Sequence, residues 1–184
     1  MTSQLVLFDL DGTLAHSFSA NAKAYAKAFT ELGCSFVPEE YCDYVGKSWN
    51  EWGPKRSGTP EVAQAVHRRK KDLYPHFIPL ISLVREGYDL WTQFHGIVPC
   101  WLVTNASKSN AHLVLEHLEL TFDAEFFGED FEDNDQLLRA VVDSSGLAPE
   151  QILLVDDGVE RINSARQLGI RTHRVRAETD FCSR

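Results

Sequence analysis

Residues Leu5–Leu14 read Leu-Val-Leu-Phe-Asp-Leu-Asp-Gly-Thr-Leu, and this stretch decides the fold of the chain. It opens with apolar residues, β-branched and aromatic ones among them, which predicts a buried parallel strand. Asp9 and Asp11 follow. Because alternate residues of a strand share a side, both carboxylates are expected at its C-terminal end. Two adjacent anions are costly there unless a metal, a shared proton or a cationic ligand offsets them. The alternative is a strand that runs into an acidic turn.

Composition limits the possible partners. The 184 residues suit one core domain with a small insertion, and their formal net charge of −9 argues against a nucleic-acid partner, which needs a basic face. The same charge repels a phosphorylated substrate at long range, so any anion site must be built locally. No apolar run approaches the ~20 residues of a membrane span, and no signal peptide is recognisable. We expect a cytoplasmic monomer or weak homodimer with no membrane partner.

Strand-like runs recur along the chain and alternate with helical patterns after residue 95. This alternation predicts an α/β fold with a doubly wound, mostly parallel five-stranded sheet. The predicted strands are Leu5–Leu10, Cys100–Thr104, Ala124–Phe127, Ile152–Asp156 and Arg171–Val175. The helices are predicted from about Ser107, around Leu137–Val142, and from about Glu160 to Leu168.

Residues 16 to 85 differ from the rest, because no convincing strand appears among them. Helical spacing predicts a helix that ends near Gly33, a second helical stretch that opens at Pro38, and a third over Glu61–Leu73. The segment Gly46–Pro60 holds three glycines and two prolines and is predicted to be a loop. The chain is therefore expected to form an α/β domain from residues 1–15 and 86–184, with a helical insertion over residues 16–85.

The motif Asp-x-Asp-Gly-Thr at Asp9–Thr13 resembles the signature of the haloacid dehalogenase-like (HAD) superfamily. The helical insertion resembles the small cap of its β-phosphoglucomutase-like and phosphoglycolate-phosphatase-like members. The resemblance implies a Rossmann-like core in which Asp9 is the nucleophile and Asp11 the general acid/base. An Asp at the second position points to phosphoryl chemistry, since the dehalogenases of the family lack it.

Two further segments resemble motifs of that family. Thr104 ends the second predicted strand, and the resemblance implies that its hydroxyl and the N–H groups of Asn105 and Ala106 bind a phosphate oxygen. The alternative is an ordinary strand-to-helix cap. The pair Asp156-Asp157 follows another apolar run. The resemblance implies an Mg²⁺ site made by Asp9, the Asp11 carbonyl oxygen and Asp157, with Asp156 as a supporting acid.

A third family motif is missing. A lysine is expected roughly 25 residues before the metal-binding Asp, yet the corresponding window, Phe131–Gln136, is acidic, and no lysine follows Lys108. The resemblance implies that this lysine holds the nucleophile and the phosphate together. Lys108 is the predicted catalytic replacement, since it lies on the first turn after Thr104. Arg161 and Arg139 are the other candidates. The gap also allows weak activity or an altered chemistry.

The insertion adds one candidate for substrate binding. Gly46-Lys47-Ser48 resembles the substrate-contacting cap loop of β-phosphoglucomutase-like proteins, which implies that Lys47 meets an anion of the substrate. Together these resemblances imply an Mg²⁺-dependent phosphatase that acts on a small phosphorylated metabolite through an aspartyl-phosphate intermediate. The alternatives are a phosphomutase, a phosphonatase-like enzyme, and a catalytically degenerate domain that binds phosphate or a protein partner.

Overall fold

The computed structural model describes residues 3–45 and 49–176. From residue 85 onward strands and helices alternate among the described residues, and the predicted α/β class is confirmed. The chain separates into two compact units. Of the described residues, one unit contains 3–16 and 83–176, and the other contains those between 17 and 82. In chain order the strands and α-helices are β1 (Leu5–Phe8), α1 (Phe18–Glu31), α2 (Trp49–Ser57), α3 (Pro60–Leu73), α4 (Arg85–Phe94), β2 (Cys100–Thr104), α5 (Lys108–Leu118), β3 (Ala124–Phe127), α6 (Asn134–Ser145), β4 (Ile152–Asp156), α7 (Val159–Gln167) and β5 (Arg171–Arg174).

The first unit is built on one five-stranded sheet in the order β3-β2-β1-β4-β5. Every pairing is parallel. Strand β1 lies in the centre, where Phe8 pairs with Leu102 of β2 and with Val155 of β4. Because parallel strands are buried on both faces, β1 is apolar throughout and fully buried. This register brings the carboxyl ends of β1, β2 and β4 together at one edge.

Helices α6 and α7 cover one face of the sheet. Their buried side chains Leu138, Val141 and Ile162 pack against Leu7 and Leu154 of the central strands. Burial of side chains of this size contributes roughly 1.5–3 kcal/mol each, so this layer is a main source of stability. It also fixes where α7 begins, directly beyond the carboxyl end of β4. No described helix is both long and apolar enough to cross a membrane.

The second unit contains α1, α2, α3 and two 3₁₀ segments, Pro38–Tyr44 and Tyr74–Leu80, and no strand among its described residues. Its core is a cluster of aromatic rings. Trp49 stacks on Tyr25 at 5.2 Å between ring centroids, and Trp52 packs edge-on against Tyr25 at 5.0 Å.

The predicted loop over Gly46–Pro60 is wrong for Trp49–Ser57, which forms α2. Gly53 and Pro54 both disfavour a helix interior, and on that ground the loop was expected. Burial of Trp52 outweighs this local preference. Gly53 is moreover required, because a Cβ atom there would meet the ring of Trp49.

Candidate active site

Three carboxylates meet at the carboxyl edge of the sheet. Asp9 follows β1 directly and donates its N–H to the Val155 carbonyl oxygen at 3.0 Å. Asp156 is the last residue of β4, and Asp157 follows it. One oxygen from each of these carboxylates lies within 4.8 Å of the others, and Asp9 and Asp156 are buried. Side chains separated by almost 150 positions therefore form one acidic cluster.

The turn after Asp9 is shaped to admit Asp157. The Leu10 carbonyl oxygen accepts the N–H groups of Thr13, Leu14 and Ala15, which closes the turn tightly. Gly12 has a φ of +83°, a conformation that residues with a Cβ atom rarely adopt. A Cβ atom at Gly12 would lie 2.5 Å from Asp157 Oδ2. Glycine at this position thus lets the carboxylate lie against the backbone.

The two oxygens of Asp156 are both occupied by donors of the protein. Oδ1 accepts the Gly158 N–H at 2.6 Å, and Oδ2 accepts from Arg161 Nη1 at 2.8 Å. Among the residues that the structure describes, the Asp157 carboxylate has one hydrogen-bond donor: its Oδ1 accepts from the Thr13 hydroxyl at 3.3 Å. Asp157 is therefore better placed than Asp156 to offer an oxygen to a metal ion.

Arg161 is the cation that the structure places at the cluster. This α7 side chain is buried, and its Nη1 donates to Asp9 Oδ1 at 2.7 Å and to the Val103 carbonyl oxygen at 3.1 Å, in addition to Asp156. Its Nε donates to Asn134 Oδ1 at 3.2 Å. Asn134 begins α6 and lies inside the acidic window where the sequence lacks the expected lysine.

The electrostatics of the cluster show an excess of negative charge. Burial, as the largest cause, and the neighbouring charge of Asp9, as the second, raise the pKa of Asp156 to about 7. The positive charge of Arg161 acts in the opposite direction. Burial and Asp9 likewise raise the pKa of Asp157 to about 6, and Asp11 contributes to that increase. Burial opposes the charge of Arg161, but the charges of Asp9 and Asp156 raise its pKa above the ordinary value. The single positive charge of Arg161 does not offset the combined negative charge of Asp9, Asp156 and Asp157.

The second predicted motif forms the turn after β2. Thr104 is buried, and its hydroxyl accepts the Ala106 N–H at 3.1 Å. The Asn105 side chain lies against Gly128, where it leaves no room for a Cβ atom. The N–H of Lys108, the first residue of α5, donates to Glu129 Oε1 at 2.9 Å. A protein carboxylate thus lies at the start of α5, as expected for the positive end of a helix.

The other predicted cations lie elsewhere. The Lys108 side chain is exposed, and its ammonium nitrogen is 5.7 Å from the centroid of the Phe127 ring. Arg139 is also exposed, on α6. Neither forms an ion pair with Asp9 among the residues that the structure describes. Lys47 lies outside the described residues.

Sequence reasoning missed two residues of the site and one contact. Asn134 lies within Phe131–Gln136, a segment that the sequence analysis considered only because it lacks the expected lysine. Gly158 was passed over because glycine offers no functional side chain, yet its N–H binds Asp156. The missed contact joins the Thr13 hydroxyl to Asp157, 144 positions away. The order of strands β1 and β4 in the sheet was the information required to foresee that contact.

Comparison with known proteins identifies the family of this chain. A sequence model of the family described as haloacid dehalogenase-like hydrolase matches residues 6–175. The chain is 26% identical over 202 residues to the GMP/IMP nucleotidase YrfG of Escherichia coli, with 90% of this chain and 79% of that protein covered.

Solved structures show the same fold. A haloacid dehalogenase-like family protein, SP0104, from Streptococcus pneumoniae superposes with a TM-score of 0.78 at 23% identity, covering 92% of this chain and 83% of that one. CbbY from Rhodobacter sphaeroides, solved in complex with phosphate, also has a TM-score of 0.78, at 20% identity, covering 93% and 85%.

Proposed function

Because the chain belongs to the haloacid dehalogenase-like hydrolase family and is a phosphatase-like hydrolase, we propose that it hydrolyses the phosphate ester of a small phosphorylated metabolite. The observation that carries this proposal is the cluster of Asp9, Asp156 and Asp157 at the carboxyl edge of the sheet. Ligands of open α/β sheets bind at this edge, at the point where the strand order reverses. Here that point is β1: the chain passes from β1 to β2 and β3 on one side, and then crosses to β4 and β5 on the other.

Asp9 is the proposed nucleophile. Its Oδ1 is held by Arg161, and its Oδ2 has no hydrogen-bond partner in the described parts of the chain. Oδ2 attacks phosphorus, the bond from phosphorus to the ester oxygen breaks, and Asp11 gives its proton to that departing oxygen. Water then attacks the phosphorus of the aspartyl-phosphate, Asp11 takes the proton of that water, and Asp9 is released with inorganic phosphate.

The acidic cluster fits a magnesium ion. Mg²⁺ prefers oxygen ligands and is usually held by one or two carboxylates together with substrate oxygens. Asp157 retains an oxygen that no described hydrogen bond uses, whereas Asp156 does not. We assign the metal to Asp9, Asp157 and the Asp11 carbonyl oxygen, with Asp156 in support. Mg²⁺ there supplies positive charge to the anionic phosphoryl group.

The turn after β2 is the proposed phosphate-binding segment. Thr104 and the N–H groups of Asn105 and Ala106 lie at the same sheet edge as Asp9, because β2 pairs with β1. The relative named as a GMP/IMP nucleotidase and the CbbY complex with phosphate support a phosphorylated ligand. The division into two compact units supports a core of residues 1–15 and 86–184, with residues 16–85 as a helical cap domain.

Hydrolysis assays test this function. The purified protein is incubated with p-nitrophenyl phosphate, GMP, IMP and phosphoglycolate, with Mg²⁺ and with EDTA, and released phosphate is measured. We expect Mg²⁺-dependent release from at least one ester and none in EDTA. Release that persists in EDTA would contradict the metal assignment. If a wider panel of phosphorylated metabolites also gives no release while inorganic phosphate binds, the protein is a binding module and the proposed reaction is wrong.

A further inference from the structure

The Arg161 side chain lies in a buried position that an exposed charged side chain could not occupy. It is buried, and one of its nitrogens contacts both the proposed nucleophile Asp9 and the supporting acid Asp156, at 2.7 Å and 2.8 Å. The Val103 carbonyl oxygen accepts from the same nitrogen, Nη1, at 3.1 Å, and Asn134 Oδ1 accepts from Nε at 3.2 Å. Partners from the turn after β1, from β2, from β4 and from α6 therefore fix the orientation of this one side chain.

The charge balance explains why a cation is needed there. Asp9, Asp156 and Asp157 lie within one cluster, Asp11 acts on it from nearby, and a phosphoryl group brings further negative charge. A dianion approaching an unneutralised carboxylate nucleophile is strongly repelled, and burial strengthens this repulsion. Asp9 can attack such a group only if fixed positive charge lies beside both of them.

We infer that Arg161 is the residue that positions Asp9 and supplies the fixed positive charge beside the transferring phosphoryl group, in place of the lysine that the sequence lacks. This inference rests on the proposed phosphatase function. It moves the source of the charge from the segment before β4 to α7, the helix after it. The earlier segment retains a part in the arrangement, since its Asn134 holds the Arg161 Nε.

One nitrogen of Arg161 remains for the substrate. Nε and Nη1 make all the hydrogen bonds of this side chain to described residues, which leaves Nη2 without a partner among them. Nη2 is not one of the buried polar atoms that are sealed from solvent without a partner. A guanidinium held by Nη1 on Asp9 can donate from Nη2 to a phosphoryl oxygen, because its several N–H groups point in fixed directions.

Lys108 is the rival for this role. Its backbone N–H is bound to Glu129, and its exposed ammonium group lies over Phe127 rather than on Asp9. A charge that must act in the transition state is more effective when it is already oriented and excluded from water. Arg161 meets both conditions in the structure, and Lys108 meets neither.

Substitutions at Arg161 test the inference. Arg161→Gln removes the charge, Arg161→Lys keeps it, and Arg166→Gln serves as the matched control, an exposed arginine on the same helix. With p-nitrophenyl phosphate and Mg²⁺, we expect Arg161→Gln to lower kcat on the order of 10²-fold. Removal of one preorganised hydrogen-bond donor to a developing charge lowers kcat in other enzymes by a factor of this order. Arg161→Lys should recover part of that loss, and Arg166→Gln should match the wild type.

Mg²⁺ binding, measured by calorimetry, separates this role from structural damage. Arg161→Gln should bind Mg²⁺ at least as tightly as the wild type, because Asp9 and Asp157 remain and one positive charge has gone. If Arg161→Gln does not fold by circular dichroism, Arg161→Gln/Asp156→Asn removes both buried charges together, and the same loss of kcat is expected. Wild-type kcat in either folded variant would overturn the inference, as would a loss confined to Lys108→Ala.

Failure of the proposed function gives a different result. If the wild type releases phosphate from no ester, calorimetry with inorganic phosphate and Mg²⁺ replaces the assay. Weaker phosphate binding by Arg161→Gln than by Arg166→Gln then supports the charge assigned to Arg161, although the reaction itself is wrong. Equal binding by the two variants overturns the inference.

Discussion

A single hydroxyl joins Thr13 to Asp157. Thr13 Oγ1 accepts the Asp157 N–H at 3.0 Å and donates to Asp157 Oδ1 at 3.3 Å, although the two residues are 144 positions apart. Thr13 is fully buried. These hydrogen bonds thereby link the turn that carries Asp9 and Asp11 to the turn that carries the proposed metal ligand.

Thr13→Val is expected to disconnect these loops without changing the side-chain shape. The variant leaves the Asp157 N–H unsatisfied, so we expect a loss of about 1–3 kcal/mol in the free energy of unfolding, measured by urea denaturation. Mg²⁺ affinity should fall as well, because Asp157 loses its orientation. Thr13→Ser, which keeps the hydroxyl, should retain Mg²⁺ affinity; an equal loss in both variants would assign the effect to packing of the methyl group.

Asp9→Asn should abolish turnover while the fold persists. The amide is nearly isosteric with the carboxylate but cannot form an acyl-phosphate. Hydrolysis of p-nitrophenyl phosphate and circular dichroism check the two halves of this prediction. A folded Asp9→Asn variant that keeps a substantial part of the wild-type rate would remove Asp9 from the role of nucleophile.

Asp157→Asn and Asp156→Asn form a matched pair for the metal site, since each removes one carboxylate charge from the cluster. We expect Asp157→Asn to weaken Mg²⁺ binding far more, because both oxygens of Asp156 already accept from Gly158 and Arg161. Calorimetric titration with Mg²⁺ measures the difference. Equal weakening would mean that only the total charge matters and that the proposed ligand set is incorrect.

Gly12→Ala is expected to disrupt the site, and Gly58→Ala provides its control. The φ angle is +83° at Gly12 and +82° at Gly58, so both variants bear a conformational cost of roughly 1–2 kcal/mol. Only the new methyl group at Gly12 meets the Asp157 carboxylate, whereas the space around Gly58 is open. Mg²⁺ affinity should therefore fall in Gly12→Ala alone. A similar fall in Gly58→Ala would point to general destabilisation.

Glu86 should make stability depend on pH. Two hydrogen bonds lower the pKa of Glu86 below its ordinary value of 4.5. The one with His173 has the larger effect, and the one from the Arg176 N–H has the smaller. A lowered pKa in the folded state stabilises the protein above the unfolded-state pKa, and this stability is lost as pH falls through the folded-state value. Glu86→Gln should thus lower Tm at pH 6 and lose that effect in acid.

The control for this pH dependence is Glu116→Gln, a change at an exposed glutamate of α5. Scans of Tm between pH 3 and 7 should show no comparable difference between Glu116→Gln and the wild type. A Tm difference for Glu86→Gln that persists unchanged at pH 3 would show that the carboxylate charge of Glu86 does not stabilise the fold.

The sequence alone determined the sheet and its acidic edge. Runs such as Leu5–Phe8 and Ile152–Val155 are apolar because parallel strands are covered on both faces, and this pattern is visible in short stretches of sequence. The family signature at Asp9–Thr13 and the acidic pair after β4 were recognisable for the same reason. Each depends on residues that are neighbours in the chain.

Only the tertiary structure decided the features that depend on distant neighbours. The helix at Trp49–Ser57 forms against local preference, since the ring of Trp52 is buried in the aromatic cluster of Tyr25. Arg161 could not be chosen over Lys108 from spacing, because both lie four residues beyond a predicted site residue. The sheet order places β4 beside β1, and α7 follows β4. The buried guanidinium of Arg161 therefore contacts Asp9, although the two residues are 152 positions apart in the chain.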